Sequence, residues 1–269
     1  MRIPFTQVDA FAEAPFAGNP AVVMPLSAWL DDATLQAIAA ENNLSETAFL
    51  VPAADDGSAE GADFDLRWFT PTAEVVLCGH ATLASGHVVL SSDTALSRVR
   101  FRTRRAGLLT VERHDSGYAL ALPAWRPEPK PLPEIVAALG LGPVRETLWH
   151  PHRYGLVVVD DPAAIAALEP DYRGLAREGD VLTIVTAPGE DTDIVSRVFA
   201  PGAGIDEDPV TGSAHAVMVP YWADRLGRDT LTAYQASKRG GRLTCRLDGD
   251  RVVLGGTCVT VIEGAFLLP

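Results

Sequence analysis

Residues 69–90, FTPTAEVVLCGHATLASGHVVL, join a strand end, a glycine turn and an apolar run, and they decide the fold that the sequence predicts. The run Ala81–Leu90 is apolar on nearly every side, and a helix of that kind is buried rather than lying on a surface. Residues 199–226, FAPGAGIDEDPVTGSAHAVMVPYWADRL, follow the same plan. Their apolar run, Ser213–Leu226, predicts a second buried helix, in which Pro220 predicts a kink or a late break. The chain therefore consists of two similar halves.

The boundary between the halves is a proline-rich segment, residues 123–133, PAWRPEPKPLP, which we expect not to extend a sheet. Short alternating runs such as Phe64–Trp68 predict that the rest of the chain is rich in strands. The fold class is therefore α+β, with two pseudo-symmetric domains that each curl a mixed, barrel-like sheet around a central helix. The predicted domains are residues 1–123 and 134–269, joined by a linker at 124–133, and the last strands are free to pack on the N-terminal domain.

The composition excludes several classes of function. The net charge of −13 and the pI near 4.8 would repel nucleic acid, and no basic cluster offsets them. No run approaches the roughly 18 uninterrupted apolar residues of a membrane span, and the first residues lack a signal-peptide pattern. We therefore expect a cytoplasmic protein without nucleic-acid or membrane partners. Its three cysteines are expected to be free thiols.

Two glycine turns are candidate anion sites because each precedes a predicted buried helix. Helix N-termini present unpaired N–H groups and a positive dipole end, so Gly79 with His80, and Gly212 with Ser213, are suited to a small carboxylate. The alternative is that both are ordinary helix starts that serve stability alone. The residues themselves leave both interpretations open.

Acidic residues supply the candidate proton-transfer groups. Glu46 stands at the head of the apolar strand ETAFLV, where a buried carboxyl could exchange protons with a ligand, although the pattern taken alone is more typical of a solvated glutamate at a strand end. Residues 206–208, DED, precede the second glycine turn and are either a charged loop or the source of one acid that faces a ligand. No HExxH or similar spacing is present among the histidines, so no metal site is expected.

Several motifs in order resemble the phenazine-biosynthesis PhzF family, within the diaminopimelate epimerase-like superfamily. They are FAGNPAVV (16–23), NLSETAF (43–49), FTPTAEVVLCGHAT (69–82), EDPVTGSAH (207–215), PYWADRLG (220–227) and QASKRGG (235–241). The resemblance covers nearly the whole chain. It implies the two-domain epimerase-like fold, an active site between the domains, a homodimer, and an isomerase that uses neither metal nor organic cofactor.

The resemblance also implies roles for individual residues. In the best-understood members the reaction moves a proton across the ring of a dihydro-hydroxyanthranilic acid. Glu46 matches the glutamate that removes and returns this proton, while His80 and Asp208 match residues that orient the substrate and assist its tautomerisation. The residues assigned to substrate binding are Asn19, Ser45, Gly79, Gly212 and Ser213. The expected ligand is a small unsaturated cyclic or amino carboxylic acid.

Two alternative functions remain open at this point. Epimerases and racemases of the superfamily use one cysteine from each half, and Cys78 stands where the first of these would be. The matching stretch of the second half, DPVTGSAH, contains no cysteine, which disfavours a two-thiol mechanism but leaves Cys78 free to act with another base. The other alternative is a non-catalytic protein that binds a small carboxylate, since a fold does not fix a function.

Overall fold

The computed structural model describes residues 1–54, 61–115 and 117–268. The chain divides into two compact units. Unit 1 consists of Met1–Ala121 together with Gly255–Pro269, and unit 2 consists of Leu122–Leu254. Among the described residues, no helix is both long and apolar enough to cross a bilayer.

The first ten elements run from the N-terminus to the unit boundary. They are β1 (Arg2–Ala10), β2 (Asn19–Pro25), α1 (Asp32–Asn42), β3 (Glu46–Pro52), β4 (Phe64–Phe69), β5 (Glu74–Val75), α2 (Gly79–Ser92), β6 (Arg98–Thr103), β7 (Leu108–His114) and β8 (Gly117–Pro123). Strand pairing is mixed, because β2 with β3 and β4 with β6 are parallel whereas β1 with β2 and β3 with β4 are antiparallel.

The next elements build unit 2. They are β9 (Glu128–Pro129), α3 (Pro133–Ala138), β10 (Glu146–His150), β11 (Tyr154–Val158), α4 (Pro162–Ala166), α5 (Tyr172–Ala176), β12 (Leu182–Pro188), β13 (Ile194–Ala200), a 3₁₀ turn (Pro201–Ala203), β14 (Ile205–Asp208), α6 (Gly212–Leu226), β15 (Thr230–Gln235), β16 (Gly241–Asp248) and β17 (Arg251–Gly256). Parallel pairs β11–β12 and β13–β15 alternate with antiparallel neighbours. The last strand, β18 (Cys258–Leu267), pairs antiparallel with β1 in unit 1.

Each unit surrounds one apolar helix, as the sequence predicts. In α2, the first eight residues are all buried, and the helix packs against β1, β2 and β3. In α6, every residue from Gly212 to Ala223 is buried, and the helix packs against β11, β12, β15 and β16. The predicted α+β fold class, with a mixed sheet and one central helix in each unit, is confirmed.

The structure corrects two local expectations, a break at Pro220 and the exclusion of the proline-rich segment from a sheet. Pro220 does not break α6, which continues to Leu226 and ends at Gly227 in the left-handed region at φ +66°. The proline-rich segment does extend a sheet over two residues, because Pro129 lies opposite Leu148 in the β9–β10 pair. Proline has no N–H to donate, and the next residue supplies the bond instead: Lys130 donates its backbone N–H to Thr147 O at 3.0 Å.

The internal repeat extends to a pair of matching salt bridges. In unit 1, Arg67 forms a two-pronged ion pair with Glu74, with Nε–Oε1 and Nη2–Oε2 distances of 2.7 and 2.8 Å. In unit 2, Arg197 pairs with Glu207 in the same way, at 2.7 and 2.9 Å. Each guanidinium also lies over the phenylalanine two residues later, Phe69 or Phe199. Each bridge thus ties a strand to the segment that leads into the central helix of its unit.

Candidate active site

Three polar side chains of unit 1 meet because three elements begin at the same place. Asn19 and Glu46 are the first residues of the parallel neighbours β2 and β3, and His80 is the second residue of α2. The Asn19 side-chain nitrogen lies 3.1 Å from His80 Nδ1, and His80 Nε2 lies 3.0 Å from Glu46 Oε2. All three residues are buried.

Glu46 and His80 form an ion pair in which the Glu46 Oε2 atom accepts no aligned hydrogen bond from the described residues. By distance the two groups are paired, yet among the described residues no donor is aligned on Glu46 Oε2 as a hydrogen bond. A buried carboxylate oxygen normally has such a donor. The lone pair of Oε2 is therefore available to accept a proton from a ligand.

Burial lowers the pKa of the His80 imidazole, but the neighbouring Cys78 and Glu46 raise it by more, so this pKa lies well above its ordinary value. Because Cys78 is a neutral thiol at neutral pH, as its own environment requires, the Glu46 carboxylate is the physical cause of the rise. The Asn19 amide suits both protonation states of the ring, since its nitrogen donates to a bare Nδ1 and its oxygen, after a half-turn, accepts from a protonated one.

Cys78 is the fourth member of this group. Its Sγ lies 3.5 Å from His80 Nδ1 and 4.0 Å from Nε2. Burial, followed by the negative charge of Glu46, raises the pKa of the thiol to about 11. The thiol is therefore protonated at neutral pH, which suits a proton donor and not a thiolate base.

Unit 2 places a second set of the sequence-predicted residues around the start of α6. Asp208 ends β14, and its carboxylate accepts a hydrogen bond from the Thr211 hydroxyl. Gly212 and Ser213 are the first residues of α6, and the side chain of the N-cap residue, Thr211, makes no capping hydrogen bond. The backbone N–H groups of this N-terminus are consequently arranged as they would be for an anion.

The loop between β14 and α6 is held by Gln235, a residue to which the sequence assigns no role. The Gln235 side chain is fully buried, donates to Asp208 O at 2.7 Å and accepts from the Thr211 backbone N–H at 2.8 Å. It is the last residue of β15, which lies parallel to β13 with Gln235 opposite Ser196. The only signal for it in the sequence was its position at the start of the QASKRGG motif.

The structure therefore divides the predicted site residues into two groups, one within each unit. Asn19, Glu46 and His80 contact one another in unit 1, where Gly79 begins α2 and the half-buried Ser45 directly precedes Glu46. Asp208, Gly212 and Ser213 lie together in unit 2. Cys78, which was left out of the predicted site, belongs to the first group.

Comparison with known proteins identifies the family. The model of the phenazine biosynthesis-like protein family, PhzC-PhzF, matches residues 8–264. An uncharacterized isomerase of Pseudomonas aeruginosa is 49% identical over 273 residues, with both chains covered completely. A crystal structure of a PhzF family protein from Enterococcus faecalis has a TM-score of 0.89 and 45% identity over the full length of both chains.

More distant structures share the fold alone. A hydroxyproline epimerase from Agrobacterium vitis superposes with a TM-score of 0.64 at 12% identity, covering 98% of this chain and 92% of its own. The epimerase-like architecture is therefore shared at low identity, whereas the full-length matches at 45 to 49% identity are specific. The chain belongs to the phenazine biosynthesis-like, or PhzF, family.

Proposed function

We propose that this protein is an isomerase that moves a proton within a small unsaturated cyclic or amino carboxylic acid. The observation that carries the proposal is the buried Glu46 carboxylate, whose Oε2 lies 3.0 Å from His80 Nε2 and has no aligned donor among the described residues. A positioned carboxylate of this kind is suited to general acid–base catalysis. The name of the Pseudomonas aeruginosa relative, an isomerase, supports the same class of reaction.

The proposed reaction begins when Glu46 Oε2 takes a proton from a C–H bond of the substrate, whose electrons move into the adjoining unsaturated system. Glu46 then delivers the same proton to a different carbon, so that atoms and charge balance without a co-reactant. The positive charge of the His80 imidazolium stabilises the carboxylate and fixes its position. No organic cofactor is needed for these steps.

Asp208, Gly212 and Ser213 are proposed to orient the substrate and its carboxylate, and Asn19, Ser45 and Gly79 to contribute to its binding. Support comes from the N-terminus of α6, which the Thr211 side chain does not cap, and from the Thr211 and Gln235 bonds that hold Asp208 in place. The specific substrate and the homodimer implied by the resemblance, and the cytoplasmic location expected from the sequence, stay predictions.

A second candidate is an epimerase in which Cys78 supplies the proton on one face of the substrate. The contact of 3.5 Å between Cys78 Sγ and His80 Nδ1 favours it, because a neutral thiol beside an imidazole can donate a proton and be reprotonated. The raised thiol pKa argues against Cys78 as the base that begins the reaction.

The test is solvent deuterium uptake, followed by mass spectrometry or NMR, into dihydro-hydroxyanthranilic acid and a panel of small amino acids. We expect Glu46→Gln to slow uptake by about 10²- to 10⁴-fold, the usual contribution of a general acid–base group. The matched control is Glu41→Gln, which changes an exposed glutamate of α1 and should leave uptake unaltered. Equal uptake by wild type and Glu46→Gln would refute the role of Glu46.

The same assay separates the two candidates. If Glu46 acts alone, Cys78→Ala stays within about tenfold of the wild-type rate. A much larger loss, together with inversion at an α-carbon, would favour the epimerase.

A further inference from the structure

The buried group of Glu46, Cys78 and His80 has a property that proton transfer does not use. Each residue offers one ligand atom, and the three atoms all lie within 4.8 Å of one another. We propose that these side chains form a binding site for a zinc-class divalent cation, which excludes the substrate while it is bound. The exclusion rests on the proposed function, whereas the binding of the cation does not.

The ligand set selects the class of metal. A thiolate, an imidazole and one carboxylate are the donors that zinc accepts, whereas magnesium and calcium require mainly oxygen ligands. Catalytic-type zinc sites commonly have three protein ligands and leave the fourth position to water. Within the described part of the chain, three ligands come together here, which matches that arrangement.

The distances require a small movement of Glu46 and a side-chain rotation of Cys78. With zinc bonds of about 2.0 Å to nitrogen and oxygen and about 2.3 Å to sulfur, tetrahedral ligand atoms stand about 3.3 to 3.6 Å apart. Nε2 of His80 now lies 3.0 Å from Glu46 Oε2 and 4.0 Å from Cys78 Sγ. Sγ of Cys78 lies closer to Nδ1, at 3.5 Å, than to Nε2, so a rotation about the Cα–Cβ bond of Cys78 would have to carry the sulfur to the Nε2 side of the ring to complete the geometry.

The second shell is already present. A metal-bound histidine normally makes a hydrogen bond through its other ring nitrogen, which fixes the ring. Asn19 occupies that place, with its amide 3.1 Å from Nδ1, so that Nε2 is left for the metal and faces Glu46. After a half-turn of the amide, Asn19 Oδ1 would accept the Nδ1 proton of the metal-bound ring.

Charge also favours a doubly charged cation. On binding, the Cys78 thiol proton and the His80 Nε2 proton pass to solvent, which leaves a thiolate, a carboxylate and a neutral imidazole. These two negative charges balance the cation, so the complete site is neutral. A neutral cluster is the form that is least costly to bury where the three residues are between 3 and 8% exposed.

The experiment is a titration of the full-length, chelator-treated protein with Co²⁺, which replaces zinc and reports its ligands in the absorption spectrum. We expect one Co²⁺ per chain, a near-ultraviolet charge-transfer band from thiolate to cobalt, and the intense visible bands of four-coordinate cobalt. Added Zn²⁺ should displace the cobalt and remove the charge-transfer band and the visible bands. Neither reading depends on enzymatic activity.

Matched variants identify the sulfur and the second shell. Cys78→Ser should lose the charge-transfer band, while Cys258→Ser, which changes a thiol outside the cluster, should keep it. Asn19→Ala should weaken zinc binding by about 10- to 100-fold, as removal of second-shell partners does elsewhere. Circular dichroism and thermal unfolding confirm that each variant is folded.

The outcomes are separable from those of the deuterium assay. Absence of a thiolate band in folded wild type, or an undiminished band in Cys78→Ser, would overturn the metal site even if deuterium uptake is normal. A normal band without any deuterium uptake would support the metal site and count against the proposed isomerase. If both are present, excess Zn²⁺ should suppress uptake in proportion to occupancy and a chelator should restore it.

Discussion

His215 is a fully buried imidazole that is not used in the proposed chemistry. Its Nδ1 donates to Thr211 O at 2.8 Å within α6, and among the described residues Nε2 has no partner. Burial lowers the pKa of this ring to about 4, so the native protein holds it neutral at and above pH 5. A buried basic group of this kind makes stability depend on pH.

We predict that acid destabilises the protein through His215. Below pH 6.5 the imidazole of His215 binds a proton in the unfolded chain, whereas in the native protein it stays neutral until about pH 4. The free energy of unfolding therefore falls as the pH is lowered from 6.5 to 4. A shift of this size corresponds to about 3 kcal/mol of unfolding free energy. His80 acts in the opposite direction near pH 6.5, because its raised pKa keeps the native ring protonated, and this contribution is the same in wild type and in a variant of His215.

Urea unfolding between pH 7 and pH 4 measures this effect as a difference between wild type and His215→Asn. Asparagine keeps a donor near the position of Nδ1 and removes the titrating ring, so we expect the variant to lose about 3 kcal/mol less than wild type over this range. The control is His114→Asn, at a side chain that is 61% exposed. Parallel pH profiles for wild type and His215→Asn would contradict the prediction.

At the scale of elements, α2 carries a glycine in its interior for a packing reason. Gly86 is buried, and a Cβ atom added to it would lie 2.4 Å from Cγ1 and 2.6 Å from Cβ of Val111 in β7. Alanine would gain about 1 kcal/mol of helix propensity. The steric clash makes the net effect on stability unfavourable. The nearest atoms include the Cβ of Val111, which is fixed in a strand, and not only the flexible end of a side chain.

We therefore predict that Gly86→Ala destabilises the protein by about 1 to 3 kcal/mol, as overpacking does elsewhere. Chemical unfolding of the four proteins of a double-mutant cycle, with Val111→Ala as the second change, measures the coupling. Val111→Ala should cost less in the Gly86→Ala background than in wild type, by about 0.5 to 3 kcal/mol. Additive effects would mean that α2 and β7 separate without strain.

The elements also mark how far the sequence could predict this structure. Both central helices were predicted within two residues, because long apolar runs after a glycine turn have few alternatives. The matching pairs Arg67–Glu74 and Arg197–Glu207 were missed, since the two partners are separated by 7 residues in one half and by 10 in the other. Because the spacing between arginine and glutamate differs between the halves, the sequence alone does not reveal that both pairs form the same contact in the fold.

The sequence could likewise predict some residues of the candidate site and not others. Glu46 and His80 were selected because each stands beside a recognisable start of a strand or helix, and the structure places them 3.0 Å apart. The proximity of Cys78 to both depends on side-chain directions at the start of α2, which periodicity does not supply. Gln235 was missed because a buried amide that bonds a loop has no local pattern of its own.

At the scale of the whole molecule, the chain is not divided into two consecutive segments. Unit 2 is continuous from Leu122 to Leu254, whereas unit 1 requires both chain ends. The paired strands β1 and β18 share a register from Arg2–Leu267 to Ala10–Cys258, with one irregularity at Gln7/Val8. Leu268 N–H also donates to Met1 O at 3.0 Å, which extends the pairing to the first residue.

We predict from this that a chain ending at residue 256 loses structure in unit 1 and keeps it in unit 2. Without β18, one edge of β1 presents unpaired N–H and C=O groups, and the unit 1 core around Ile3 loses the packing of Phe266. Hydrogen exchange read by mass spectrometry should show fast exchange in β1 and β2, while β11, β12 and β13 stay protected. A synthetic peptide of residues 258–268 should restore protection to β1 by strand addition.

Two outcomes would contradict this prediction. Uniform loss of protection across both units would mean that they unfold as one cooperative body, and unchanged protection of β1 would mean that β2 and the core hold it without its C-terminal partner.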